Sequence, residues 1–384
     1  MYMATMFDYL QWRGDLCFSQ DPVNEVDALI FSTLAYIHYG PTVEDPQRPV
    51  YLKDAARDFF ELDSYEERFR VKNDIELLKR AAHTVRFGHT KLCMYCDRLI
   101  PEQETQFAAM TFLLDDGSMF LAFRGTDNTL VGWKEDFNMS FQQTVPAQRL
   151  AVQYVREVSA EFMQPIRLGG HSKGGNLAVF AAARSSPMLQ KRILEVYNHD
   201  GPGFNSYMMG DPGYLAMVPR IKTYIPQSSV IGMLLEHEEL YTVIRSKTVG
   251  LLQHDPYSWE VMGRGFLPVE EITQTSQFLD STIKTWFASM TDQERNQLVD
   301  VMFALLGTGG VDKTVDIFQP KNIRMYLKAI GSDENLRKIL SSEFVSLIEA
   351  AQKTREKFEV AKLEKENPDL LEAGQQSMSR DQVK

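Results

Sequence analysis

The sequence predicts an α/β fold, a largely parallel sheet covered by helices on both faces. Two observations carry this. From about residue 147 to residue 226, segments of helical periodicity alternate with short apolar runs, the pattern of successive strand-helix-strand units. Within that alternation PIRLGGHSKGGNLAVFAAA (residues 165–183) passes from an apolar strand through a glycine-rich turn into an alanine-rich helix. With 384 residues and 44% hydrophobic content, the chain can bury such a sheet and still carry additions.

Residues 1–84 are helical in pattern and are expected to pack on the core. DPVNEVDALIFSTLAYIHY opens with a capping-type Asp21 and a proline, and DSYEERFRVKNDIELLKRAAH carries apolar residues at three- and four-residue steps. Residues 85–265 form the expected core. There KLCMYCDRLI, TQFAAMTFLLDD and SMFLAFRG read as strands, with DDG as a hairpin turn. The helix AQRLAVQYVREVSAEF, the strand PIRL, the alanine-rich helix and the strands ILEVYN and IKTYIP follow. Residues 266–366 return to helical periodicity and end in SSEFVSLIEAAQKTREKFEVAKLEKEN, whose charge density marks a solvated helix. Residues 367–384 are expected to be disordered.

A net charge of −11 offers no broad basic surface for phosphate backbones, which argues against a nucleic-acid partner. MYMATMFDYLQWRGDL lacks a basic start followed by an apolar run, and ALIFSTLAYI is too short to span a bilayer. A cytoplasmic protein without stable membrane insertion is the expectation. Cys17, Cys93 and Cys96 cannot staple a domain of this size. CMYC invites a redox or zinc reading, but residues three apart on a strand point to opposite faces and no second ligand pair stands at metal spacing. GTGGVDKT (residues 307–314) has Asp312 where a phosphate-binding loop has glycine, and reads as a connector between helices. No metal and no cofactor are expected.

The chemistry centres on GHSKGG. A serine hydroxyl is a poor nucleophile unless a base takes its proton and fixed donors hold the oxyanion that forms. A serine at the apex of a strand-to-helix turn needs minimal side chains two residues before and after it, and Gly170 and Gly174 flank Ser172 at those places. His171 points away from its neighbour and is expected to pack or hydrogen-bond. Lys173 offers its backbone N–H to the oxyanion. A second donor is expected from the strand end FLAFRGTD.

With FRGT and GHSKGG both present at this spacing, the chain resembles the lipase-like α/β-hydrolases of the class 3 lipase type. AFRGTDNTLVGWKEDF together with GGHSKGGNLA resembles, more narrowly, a bacterial branch with a lipase-like domain. The likeness covers roughly residues 85–265. It implies an α/β-hydrolase fold with helical additions at both ends, and an oxyanion held by the Thr126 backbone N–H, with its hydroxyl as a further donor.

In that fold the acid and then the histidine follow the serine. His254, in LLQHDPYSWEV, lies in a turn near the end of the α/β region and is the expected base. His199 directly precedes the acid candidate, and His237, in LLEHEEL, is expected on a solvated helix. Asp200, in LEVYNHDGPGF, follows a strand and enters a Gly-Pro-Gly turn at the carboxyl end of the sheet. The class 3 pattern places its acid after the next strand, but TYIPQSSVIG holds no carboxylate. The pancreatic-lipase type uses the earlier strand, which Asp200 matches. Asp255, Ser229 or a water completing a weakened dyad are the rivals. These residues imply a serine hydrolase of carboxylic esters, a carboxylesterase or lipase-like enzyme acting on a small acyl ester through an acyl-enzyme. A thioesterase or peptidase could use the same groups. A non-catalytic binding protein of the same fold is the alternative that the carboxylate-free TYIPQSSVIG suggests. Met208, Met209, Tyr214 and Met217 could line an acyl pocket, form a lid or pack in the core.

Overall fold

The computed structural model describes residues 3–40, 43, 45, 48–63, 65–127, 129–308 and 320–366. Eight strands build one sheet in chain order: β1 (Val50–Tyr51), β2 (Lys91–Ile100), β3 (Thr105–Leu113), β4 (Met119–Phe123), β5 (Ile166–His171), β6 (Ile193–His199), β7 (Ile221–Pro226) and β8 (Tyr241–Ile244). Neighbours are antiparallel from β1 to β4 and parallel from β4 to β8. A small hairpin, β9 (Val261–Met262) with β10 (Gly265–Phe266), follows the sheet.

Five helices precede the main strands: α1 (Met6–Arg13), α2 (Glu25–Leu34), α3 (Leu52–Phe60), α4 (Lys72–Ala82) and α5 (Val85–Gly88). α6 (Leu130–Asn138) and α7 (Pro146–Glu161) join β4 to β5. α8 (Lys173–Ala183) and α9 (Pro187–Gln190) join β5 to β6, and α10 (Pro212–Met217) lies between β6 and β7. The chain continues through α11 (Gln274–Ala288), α12 (Asp292–Leu306), α13 (Pro320–Ser332) and α14 (Glu334–Glu366).

Strands β4 to β7 are added in one direction, and right-handed crossovers between such strands place every connecting helix on the same face. Accordingly α7, α8 and α10 share one core cluster with Met119, Leu121 and Phe123 of β4. The other face, presented by Phe120 and Ala122, must be covered from elsewhere. Residues of α1 to α4 cover it, together with Trp259, Val261 and Phe266 from the end of the α/β region. Burial on both faces explains why β4 reads MFLAF without alternation.

Several local expectations change. The cap of α2 is Asn24, which accepts from Val26 and Asp27 N–H, while Asp21 pairs with Arg13 and Arg264. In β2 a bulge at Met94, which has φ of 57°, shifts the register, so that Cys93 faces Thr111 and Cys96 faces Ala109. Thr111 and Ala109 are two apart, so the two cysteines share a face, not opposite faces as plain alternation implies. Burial pushes the Cys93 thiol up to about 12 and raises that of Cys96 as well, which keeps both protonated. Met208, Tyr214 and Met217 pack in the core beneath α8, which removes them from any acyl pocket or lid. α14 packs on α11 through Phe358 and Phe278, with ring centres 5.9 Å apart, and leaves Phe344 63% exposed. The 367–384 tail, and most of the proposed 307–314 connector, lie outside the described residues.

The N-terminal layer is tied by a buried ion pair. Arg86 Nε and Nη2 donate to the two oxygens of Asp27 at 2.7 and 2.6 Å, and both side chains are inaccessible to solvent. Tyr9 OH donates to the same carboxylate. Asp27→Ala strands a buried guanidinium and is expected to lower the unfolding free energy by about 3–5 kcal/mol, measured by urea denaturation.

Candidate active site

The turn after β5 has the backbone the sequence motif demands. Ser172 sits at φ 59° and ψ −134°, a region costly for any residue with a Cβ, and such strain persists only where the surroundings over-determine it. Its N–H donates to His199 O at 2.9 Å, which ties the apex to the neighbouring strand. A Cβ on Gly170 would collide with the Gly174 backbone, and one on Gly174 with Phe123 O. The sheet, this elbow and the helices on both faces make an α/β-hydrolase fold.

Asp200 follows β6 with its N–H on Tyr224 O at 2.8 Å, and its side chain is fully buried. Its Oδ2 lies 2.6 Å from His254 Nδ1, and its Oδ1 accepts from Ser229 Oγ at 2.5 Å. Ser229, from the carboxylate-free TYIPQSSVIG, therefore hydrogen-bonds the Asp200 carboxylate, while His254 Nδ1 contacts Asp200 and not Ser229. Asp255 instead accepts from Tyr257 N–H. Gln253 latches the segment that carries His254: its Oε1 accepts from Ser228 N, and its backbone O accepts from Trp259 Nε1. The His254 side chain keeps 27% exposure, while that of Asp200 has none. Among the described residues the Ser172 hydroxyl makes no hydrogen bond.

The other histidines have different duties. Burial holds His199 at about 3, with its ring stacked between Tyr197 and Tyr224. His237 is not on a helix. It is mostly buried, with Nδ1 on Glu239 and Nε2 on Gly232 O, so both ring nitrogens are spent on structure.

At the end of β4, Arg124 is buried in a bidentate pair with Asp97, at 2.9 and 2.7 Å, and this anchors the turn that presents Thr126. The backbone N–H groups of Thr126 and Lys173 have no hydrogen-bond partner among the described residues, as an anion site requires. The Thr126 hydroxyl donates to Asp136 Oδ2 at 2.5 Å, so it is already engaged. Lys173 Nζ is buried on Gln106 O, Gln106 Oε1 and Glu135 Oε2 at 2.9, 2.8 and 3.1 Å, pinning the elbow to β3 and α6.

Asp97 and Tyr36, which hydrogen-bonds His171, carried no sequence signal, and Glu135 and Asp136 stood inside AFRGTDNTLVGWKEDF with no role of their own read from it. Burial pushes the Asp136 carboxyl up to about 6, against the pull of the Lys173 ammonium and the Thr126 hydrogen bond. Between the ordinary aspartate value of about 4 and that raised value, the folded chain holds a proton that the unfolded chain has released. This group therefore makes stability fall as pH rises through that window. Asp136→Asn is expected to remove that part of the slope in urea midpoints measured from pH 4 to pH 7.

A surface cavity of about 490 Å3 is lined by Arg149, Phe180 and Arg184. Phe180 lies eight residues along α8 from Ser172, about 12 Å away, so this cavity is separate from the elbow. Among the described residues no group of three or more His, Cys, Asp or Glu is arranged to hold a metal, and no helix is long and apolar enough to cross a membrane.

Residues 81–304 match the family described as Mbeg1-like. The chain belongs to the Mbeg1-like family. The matched span of this Mbeg1-like chain runs from the end of α4 into α12 and includes the elbow, Thr126, Asp200 and His254. A solved structure, the crystal structure of M37 lipase, is similar over 86% of this chain and 98% of its own at 12% identity, with a TM-score of 0.37. So distant a likeness adds nothing to the fold read from the sheet itself. No curated protein matches the sequence.

Proposed function

We propose that the chain is a serine hydrolase of carboxylic esters. In this reading Ser172 attacks the ester carbonyl, and His254 takes the hydroxyl proton and returns it to the leaving alcohol. Asp200 fixes the imidazole tautomer, and the N–H groups of Thr126 and Lys173 hold the oxyanion; water then cleaves the acyl-enzyme by the same steps. The observation that carries the reading is the His254–Asp200 contact of 2.6 Å on the same sheet edge as a serine in a strained, left-handed backbone. A buried carboxylate on Nδ1 favours the proton there and leaves Nε2 to act as base. The non-catalytic alternative, a binding protein of the same fold, predicts no turnover of any acyl ester and a Ser172→Ala protein that keeps its partner binding.

The test is hydrolysis of nitrophenyl esters across acyl chain lengths by the full chain. Turnover of at least one ester, lost in Ser172→Ala and His254→Ala, is expected. No turnover of any ester, with no acylation of Ser172, would sink the reading. Release of thiol esters or peptides in place of oxygen esters would keep the machinery and change the substrate class.

A further inference from the structure

Residues 1–80 precede the span that matches the family, yet they reach the base. We propose that Tyr36, acting through His171, is a positioning residue that fixes the backbone of His254 beside the nucleophile. On this view the N-terminal helical segment is a working part of the site. The inference rests on the hydrolase reading, in which His254 is the base.

Tyr36 follows α2 and is 1% exposed. Its hydroxyl lies 3.0 Å from His171 Nδ1, and His171 Nε2 lies 2.8 Å from the His254 carbonyl oxygen. The chemistry of the three groups fixes the protons. A carbonyl only accepts, so Nε2 must carry a hydrogen and donate it. Burial first, then the neighbouring His254 and the Arg70 guanidinium, hold His171 well below the ordinary histidine range, so the ring is neutral and has one N–H. Nδ1 is then a lone pair, and among the described residues the proton that reaches it is that of the Tyr36 hydroxyl, which lies 3.0 Å from Nδ1 and 3.4 Å from the His171 carbonyl oxygen. The result is a directed chain, Tyr36 O–H to His171 Nδ1 and His171 Nε2–H to His254 O.

Tyr36 is itself braced. The Arg70 guanidinium lies 4.0 Å over its ring, and Arg70 pairs with Asp74 of α4 at 3.8 Å. Asp74 Oδ1 accepts from Tyr257 OH at 2.7 Å. Tyr257 lies three residues beyond His254, so the N-terminal helices hold the segment bearing the base at two points. Without the Tyr36 hydroxyl, the His254 carbonyl still holds the proton on Nε2, but Nδ1 becomes a buried acceptor without its donor. The ring loses the contact that fixes its far edge, and a shift of the ring carries the His254 backbone with it. Displacements near 1 Å at a reacting centre can lower rates by about 100-fold.

The test has two arms on the full-length chain. The first needs no turnover: 15N-edited NMR of histidine-labelled protein. In the wild type His171 is expected as the neutral Nε2–H form at pH 6 to 8, whereas Tyr36→Phe shifts the His171 Nδ1 signal by loss of its donor and moves the His254 resonances. The second arm measures ester hydrolysis. Tyr36→Phe is expected to lower kcat about tenfold with KM within twofold, and His171→Phe about 100-fold. His171→Gln, whose amide can donate to the same carbonyl, is expected to recover at least half of that loss on a logarithmic scale. A packing role alone lowers the thermal midpoint without a kcat change or rescue by glutamine. Unchanged His171 and His254 signals in Tyr36→Phe, or an unchanged kcat, would overturn the proposal. If the wild type cleaves no ester, the hydrolase reading fails separately, and the NMR arm alone decides whether Tyr36 holds His254.

Discussion

Ser172→Ala is expected to abolish ester hydrolysis, with kcat falling by about 10⁴-fold or more, to the background that binding and oxyanion donors alone support. The fold is expected to be untouched. The Ser172 hydroxyl makes no hydrogen bond among the described residues, so its loss leaves no partner unsatisfied. The backbone at φ 59° is as strained for alanine as for serine. A thermal midpoint within a degree or two of wild type, beside complete loss of turnover, separates a chemical role from a structural one. A variant that keeps a tenth of the activity would assign the nucleophile elsewhere.

Asp200→Asn is expected to lower kcat by about 10⁴-fold, for a reason that the neighbourhood makes specific. Ser229 Oγ donates to Oδ1, and in the variant that hydrogen bond selects the amide oxygen for the same place. The amide nitrogen then faces His254 Nδ1 and donates to it. This drives the imidazole proton to Nε2, the tautomer that cannot accept from Ser172. Adding Ser229→Ala releases the amide to turn its oxygen toward His254, and the double variant is expected to recover part of the loss in steady-state assays. Recovery by the second substitution distinguishes a tautomer effect from loss of negative charge, which no flip restores. Equal activity of wild type and Asp200→Asn would assign the acid's role to another group.

How much of this was legible in the sequence depends on how local each signal is. The elbow could be read because its requirement is steric and lies within five residues, Gly170 to Gly174 around Ser172. The strands from Lys91 to Pro226 could be read from composition and period, although the bulge at Met94 reversed the relation between Cys93 and Cys96, and the short strands β8 to β10 went unread. Chain order brought out Asp200 and His254, which the fold places 2.6 Å apart from positions 54 residues distant. Other features had no local signal. Tyr36 and His171 are 135 residues apart, and nothing in AYIHY distinguishes a buried donor from a core ring. Asp136 and Glu135 are adjacent on one helix, and only the tertiary fold sends one to Thr126 and the other to Lys173. His237 was misread because LLEHEEL has helical composition, whereas pairing with Glu239 and Gly232 O holds it in an irregular segment. Periodicity is blind to strand order, and strand order decides that the crossovers fill one face and leave the other to the N-terminal helices.

The most direct measurement is the intact mass of the full-length protein after treatment with a fluorophosphonate, followed by mapping of the modified peptide. A single adduct on Ser172 is expected, absent from Ser172→Ala and slowed in His254→Ala. An unmodified wild type under conditions that label a known esterase, or an adduct that persists in Ser172→Ala, would contradict the assignment of Ser172 as the nucleophile.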